Sequence, residues 1–206
     1  MMLDKVPASG REAAPDGRRR FDAVTIALHW ATALLILGMF TTAWLHAQAS
    51  DGASAGLLLT IHRSLGVSVW TLVMCRLVWR SLFATLPPFP KTMPKSQQAI
   101  ATLSEYALYA LLLLQPITGL AQSLTRGKPF VLFGLEAPVV MARDKALTAV
   151  FHQIHELTAW TLLGLISLHL LAALFHGFIL RDEVLPSMLP WKPSSRSPAL
   201  NPSGPE

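Results

Sequence analysis

The stretch "FHQIHELTAWTLLGLISLHLLAALFHGFIL", residues 151–180, carries no lysine or arginine and is built mostly of Leu, Ala, Ile and Phe. A run of about 20 apolar residues is a transmembrane candidate, and this one is longer. Four histidines interrupt it: His152, His155, His169 and His176. An imidazole in hydrocarbon is costly unless something bonds it. What holds these four rings decides both fold and chemistry.

The rest of the chain has the same character. Of 206 residues, 52% are hydrophobic and only 14% charged, against about 25% charged in an ordinary soluble domain. The apolar residues fall in blocks, giving four spans at about 22–46, 57–83, 97–124 and 150–179. The expected fold is all-α, an integral membrane four-helix transmembrane bundle. The net charge of +5 then concerns membrane orientation and lipid contact rather than nucleic acid. One cysteine, Cys75, lies inside the second span. That excludes an intramolecular disulfide, a CxxC redox pair, a cysteine-ligated iron–sulfur cluster and the CxxCH attachment of c-type haem.

Residues 1–20 are polar and aperiodic and end in a basic collar, Arg18 to Arg20. They read as a disordered tail, and the long first apolar run reads as an uncleaved anchor rather than a signal peptide. Residues 183–206, rich in Pro and Ser, read as a second disordered tail. With four spans, both termini share a side with the connection between spans two and three. That side carries most of the Lys and Arg, including Arg76, Arg80, Lys91, Lys95 and Arg181. The positive-inside rule therefore places both termini in the cytoplasm. The connection over 125–149 is the longest, with a short interfacial helix expected around "VVMARDKALTAV". Pro116 in the third span predicts a kink.

Helical geometry sorts the histidines. His155 and His169 are fourteen residues apart, so they share a face and are separated by roughly 21 Å along the axis. They can serve two sites, one per leaflet, and are too far apart for one metal. Depth in the membrane pairs His62 of span two with His155, and His29 of span one with His169. Two imidazoles facing each other across an apolar bundle suit bis-histidine b-type haem. His152, three residues before His155, and His176, in phase with His169, remain rivals. His46 lies off the His29 face, near the end of its span. Gly66, one turn from His62, offers room for a macrocycle. Arg76 and Arg80 share the His62 face near the inner end and suit haem propionates. Arg63, beside His62, suits the outer ones.

"FDAVTIALHW", "IHRSLGVSVWTLVMCRLVWR", "LLLLQPITGL" and "HQIHELTAWTLLGLISLHLLAALF" occur in this order and resemble the prokaryotic cytochrome b561 family over about residues 21–180. The resemblance implies a bacterial inner-membrane bundle with two haem b. Its ligands would fall on His29 of "LHW", His62 of "IHRSLG", His155 of "HE" and His169 of "SLH". It also implies a quinone-linked carrier. Some family members are superoxide oxidases that reduce ubiquinone, and others are membrane subunits of hydrogenases and formate dehydrogenases.

The expected function is transmembrane electron transfer through two haems, with ubiquinone as acceptor and a small anionic reductant such as superoxide as donor. The loop over 125–149 supports the donor through Arg126, Lys128, Arg143 and Lys145, set against Glu136 and Asp144. No nucleotide fingerprint or soluble catalytic domain accompanies the bundle, so other redox partners would be separate membrane or soluble proteins. Two other readings are a cytochrome b anchor for a larger dehydrogenase or hydrogenase, and a zinc or proton transporter using "HQIHE" with Glu156. The transporter reading leaves His29, His62 and His169 without a role.

Overall fold

The computed structural model describes residues 20–90 and 92–191. Helix α1 runs Ala23–Gln48, α2 Gly52–Leu82, α3 Lys95–Thr125 and α4 Lys145–Leu174. The last continues without a break as a π-helical turn, Phe175–Leu180. A small hairpin of β1 (Phe130–Leu132) and β2 (Leu135–Ala137) joins α3 to α4, and α5 (Val184–Met188) follows. All four long helices exceed the length needed to cross a bilayer and are apolar enough to do so.

The helix starts are written in the sequence. Asp22 accepts from the Thr25 amide at 2.9 Å, Asp51 from Ser54 at 2.8 Å and Asp144 from Leu147 at 3.0 Å. Each satisfies an amide that the first turn leaves without a partner. Inside the spans, hydroxyls bond back to the carbonyl four residues earlier, as Thr32 does to Leu28 at 2.7 Å and Ser167 to Leu163 at 2.8 Å. In hydrocarbon no water would do this for them.

The helices pack in chain order, α1 on α2, α2 on α3 and α3 on α4. The core lies at mid-height, where Val69 and Val73 of α2 meet Tyr109 and Leu112 of α3 and Leu162 of α4. Outward-facing Leu168, Leu171 and Phe178 are exposed, as suits a surface in contact with lipid. The two ends of the bundle are tied differently. At the terminal end, the Trp79 indole donates to Asp22 at 3.1 Å and the Trp30 indole to the Met188 carbonyl at 2.8 Å. At the hairpin end, the Phe133 amide donates to the Ser64 hydroxyl at 2.8 Å.

Two sequence expectations are corrected here. The interfacial helix around 139–150 does not form, because Asp144 caps α4 and only the residues after it are helical. The ordered part of the connection is the hairpin, which turns through Phe133 and Gly134 at positive φ, 50° and 80°. Disorder also does not begin at 183. Val184–Met188 form a helical turn whose Ser187 carbonyl accepts from the Phe21 amide at 3.3 Å, and Leu185 packs on Gly177. The tails expected over 1–19 and 192–206 lie outside the described residues.

Candidate functional site

Two histidine pairs bridge the helices. His62 of α2 faces His155 of α4 with ring centroids 6.3 Å apart and planes at 84°. His29 of α1 faces His169 of α4, also at 6.3 Å, with planes at 54°. The pairs sit above and below the Val69, Val73 and Leu162 layer, toward the hairpin end and the terminal end respectively. An imidazole nitrogen binds a first-row metal ion at roughly 2 Å, and the ring centroid lies about 1 Å behind it. Two imidazoles sharing one ion therefore stand roughly 6 Å apart, which both pairs match. The residues present fit an iron porphyrin held from both faces.

Second contacts orient the hairpin-end pair. His62 Nδ1 lies 3.1 Å from the Met39 carbonyl, and His155 Nδ1 lies 3.1 Å from the Gln115 carbonyl and 3.0 Å from Thr118 Oγ1. With Nδ1 as donor, Nε2 is the nitrogen left to bind a metal. Gly119 completes this arrangement, because a Cβ there would come within 3.0 Å of His155 Cε1. At the terminal end, His29 Nδ1 is buried and has no hydrogen-bond partner among the described residues.

The other histidines are engaged elsewhere. His152 contacts Gln122 at 3.2 Å and Glu156 at 3.8 Å. Since His155 turns to His62, "HQIHE" does not gather around a single point. His176 pairs with Asp182, and His46 bonds the Ala55 carbonyl at 2.9 Å. Among the described residues, no group of three or more His, Cys, Asp or Glu side chains is placed to hold a metal ion.

The arginines divide. Arg76 places its guanidinium 5.4 Å from the Tyr109 ring centroid and lies within electrostatic reach of both His29 and His169. It has no carboxylate partner among the described residues, so it is free to meet an anionic group. Arg80 is ion-paired with Glu105. Arg63 donates to Ser123 at 3.1 Å and covers the Phe130 ring at 5.3 Å, tying α2 to α3 and the hairpin. Gly66 is buried, and a Cβ there would make an ordinary 3.6 Å contact with Met39 of α1. Sequence reasoning missed Gln115, Thr118 and Gly119. Their signal was the fragment "QPITGL", whose polar and small residues fall on one face of α3.

The family described as prokaryotic cytochrome b561 matches residues 20–191. The chain is 29% identical over 174 residues to "Probable superoxide oxidase CybB" of Yersinia pestis, covering 84% of this chain and 98% of that protein. It is 30% identical over 174 residues to "Cytochrome b561 homolog 1" of Escherichia coli strain K12, covering 83% and 97%. A third relative, "Cytochrome b561 homolog 2" of the same strain, is 29% identical over 172 residues, covering 82% and 91%.

Proposed function

The chain belongs to the prokaryotic cytochrome b561 family, whose members bind b-type haem and transfer electrons in membranes, and from that premise we propose that it is a quinone-linked carrier holding two b haems. His62 and His155 ligate one, and His29 and His169 ligate the other. The supporting observation is the repeated 6.3 Å separation of facing imidazoles, one pair on each side of the packed mid-bundle layer. Bound haem supplies a one-electron iron couple. The chain's own residues fix its position: carbonyls of Met39 and Gln115 orient two of the rings, and Arg76 meets a propionate. The positive-inside distribution supports a cytoplasmic terminal end, with the bundle in the inner membrane and ubiquinone as the acceptor.

A second reading names the donor as superoxide. Arg63 and Arg126 lie within electrostatic reach of each other beside His62, and Lys128, Arg143 and Lys145 belong to the same connection. The acidic groups at this end are Asp51, Glu136, Asp144 and Glu156, and Asp51 and Asp144 cap helices. A small anion would be steered here at low ionic strength. Superoxide would give up one electron and leave as dioxygen. One relative's name refers to this activity.

Proteoliposomes containing the purified protein and ubiquinone test both readings. Pulsed superoxide should reduce the haem absorption bands and then form quinol, more slowly as salt rises. Haem reduction by dithionite with no quinol formed would contradict the quinone link. A superoxide rate no faster than background would remove the donor assignment alone.

A further inference from the structure

His29 and His169 stand on α1 and α4, the first and last of the long helices. Packing runs in chain order, α1 on α2, α2 on α3 and α3 on α4, and no comparable packing joins α1 to α4. Within the bundle, the facing of these two rings at 6.3 Å and 54° is set only through two intervening helices. The segment over residues 181–189 bridges the open seam directly.

The segment leaves α4 by a sharp reversal. The π-helical turn Phe175–Leu180 ends at Arg181, whose positive φ of 53° turns the chain back. The Asp182 amide then donates to the His176 carbonyl at 3.2 Å. The Asp182 carboxylate fixes both sides of the turn: one oxygen meets His176 Nδ1, and the other accepts from the Val184 amide at 3.0 Å. Leu185 sits on Gly177 so closely that a Cβ at 177 would collide with it. Beyond this reversal, three successive carbonyls accept from the start of α1. Ser187 accepts from the Phe21 amide at 3.3 Å, Met188 from the Trp30 indole at 2.8 Å and Leu189 from the Arg20 guanidinium. Trp30 adjoins His29, and its ring stands edge-on to that imidazole, with centroids 5.7 Å apart and planes at 87°. A tryptophan at a bilayer interface needs no protein partner. This one gives its only donor to the returning segment.

We propose that residues 181–189 form a strap that ties α1 to α4 at the terminal end and holds His29 and His169 at the spacing one metal ion requires, with Trp30 and Asp182 as its positioning residues. This rests on the two-haem reading above and adds the part of the chain that sets one of its sites. Trp30 acts on the ring beside it, and Asp182 acts at the other end of the strap by fixing the reversal.

Haem release from the full-length protein in nanodiscs to an excess of apo-globin tests this, together with electron paramagnetic resonance of the ferric protein. The low-spin signals respond to the angle between two axial imidazole planes. His62→Ala and His29→Ala each leave one site and assign the signals. Trp30→Phe keeps an aromatic edge against His29 and removes the indole donor. Asp182→Ala breaks the reversal at a residue that bonds neither ring. Each should speed release from the His29 and His169 site by a factor of about two to ten, the worth of one net hydrogen bond. Each should also shift that site's signal and leave the other site's in place. Gly177→Ala should act in the same way by pushing Leu185 off, and adding Leu185→Ala should undo part of the effect. Unchanged release and signals in Trp30→Phe and Asp182→Ala would overturn the strap. Equal changes at both sites would also overturn it, by making the segment a general stabiliser. A wild-type content other than two haems per chain would instead refute the two-haem reading.

Discussion

Gly119 has the most sharply defined steric role in the proposed site. A Cβ at this position would lie 3.0 Å from His155 Cε1 and 3.3 Å from its Nδ1. The ring has little freedom to retreat, since its Nδ1 is held by Gln115 O and Thr118 Oγ1. Gly119→Ala therefore has to displace a ligand by a few tenths of an ångström. Overpacking of this kind costs about 1–3 kcal/mol. Replacing a mid-helix glycine by alanine returns up to about 1 kcal/mol. The net penalty reaches about 2 kcal/mol, which at 1.4 kcal/mol per decade weakens haem binding at this site by up to roughly thirtyfold. Gly119→Leu, too large for any such adjustment, should abolish it. The assay is haem loss to an excess of an apo-globin acceptor, read with the haem-to-protein ratio. The His62 and His155 haem should leave first and the other should stay. Gly164→Ala is the control, since its Cβ meets nothing within 4 Å, and it should retain both haems. If Gly119→Ala and Gly119→Leu both kept two haems with wild-type loss rates, the placement of His155 against α3 would be wrong.

Other perturbations follow from the same contacts. Asp144→Ala removes the cap of α4 and should cost about 1 kcal/mol, visible as a lower thermal midpoint with haem content retained at low temperature. The Asp22 carboxyl is held below the ordinary carboxylate range. Burial pushes it upward, but hydrogen bonds from Thr25 and the Trp79 indole outweigh this. Its contribution is thus present above the unfolded carboxylate value of about 3.9 and is lost as pH falls through the lowered one. An acid titration of thermal stability should show this loss, and Asp22→Asn should flatten it. Phe133→Asn suits the positive φ of 50° at the hairpin turn and should leave stability equal or higher by up to about 1 kcal/mol; a clear loss in thermal midpoint would point to an anchoring role for the Phe133 ring.

The spans were legible because a bilayer demands long apolar runs; the helix starts were less so, since α2 and α4 begin about five residues before those runs, at the caps Asp51 and Asp144. Pairing His62 with His155 and His29 with His169 needed only the helical repeat and the order of spans. The hairpin was not legible, since Phe133 is a poor residue for positive φ and gave no turn signal. The ion pair of Arg80 was not legible because its partner, Glu105, lies on another helix, where spacing along α2 carries no information. The turn Val184–Met188 was hidden by Pro186, which breaks a helix interior but is tolerated in a first turn. Gly119 was missed because its importance lies in what approaches it, and only the packing of α4 on α3 reveals that.

The most direct measurement is haem per chain by pyridine haemochrome, made on the wild-type protein and on four single variants, His29→Ala, His62→Ala, His155→Ala and His169→Ala. The expected result is two b haems in the wild type and one in each variant, with His62→Ala and His155→Ala sharing one residual spectrum and His29→Ala and His169→Ala sharing the other. A single haem in the wild type, or a spectral grouping that pairs His29 with His62, would contradict the assignment of one haem to each histidine pair.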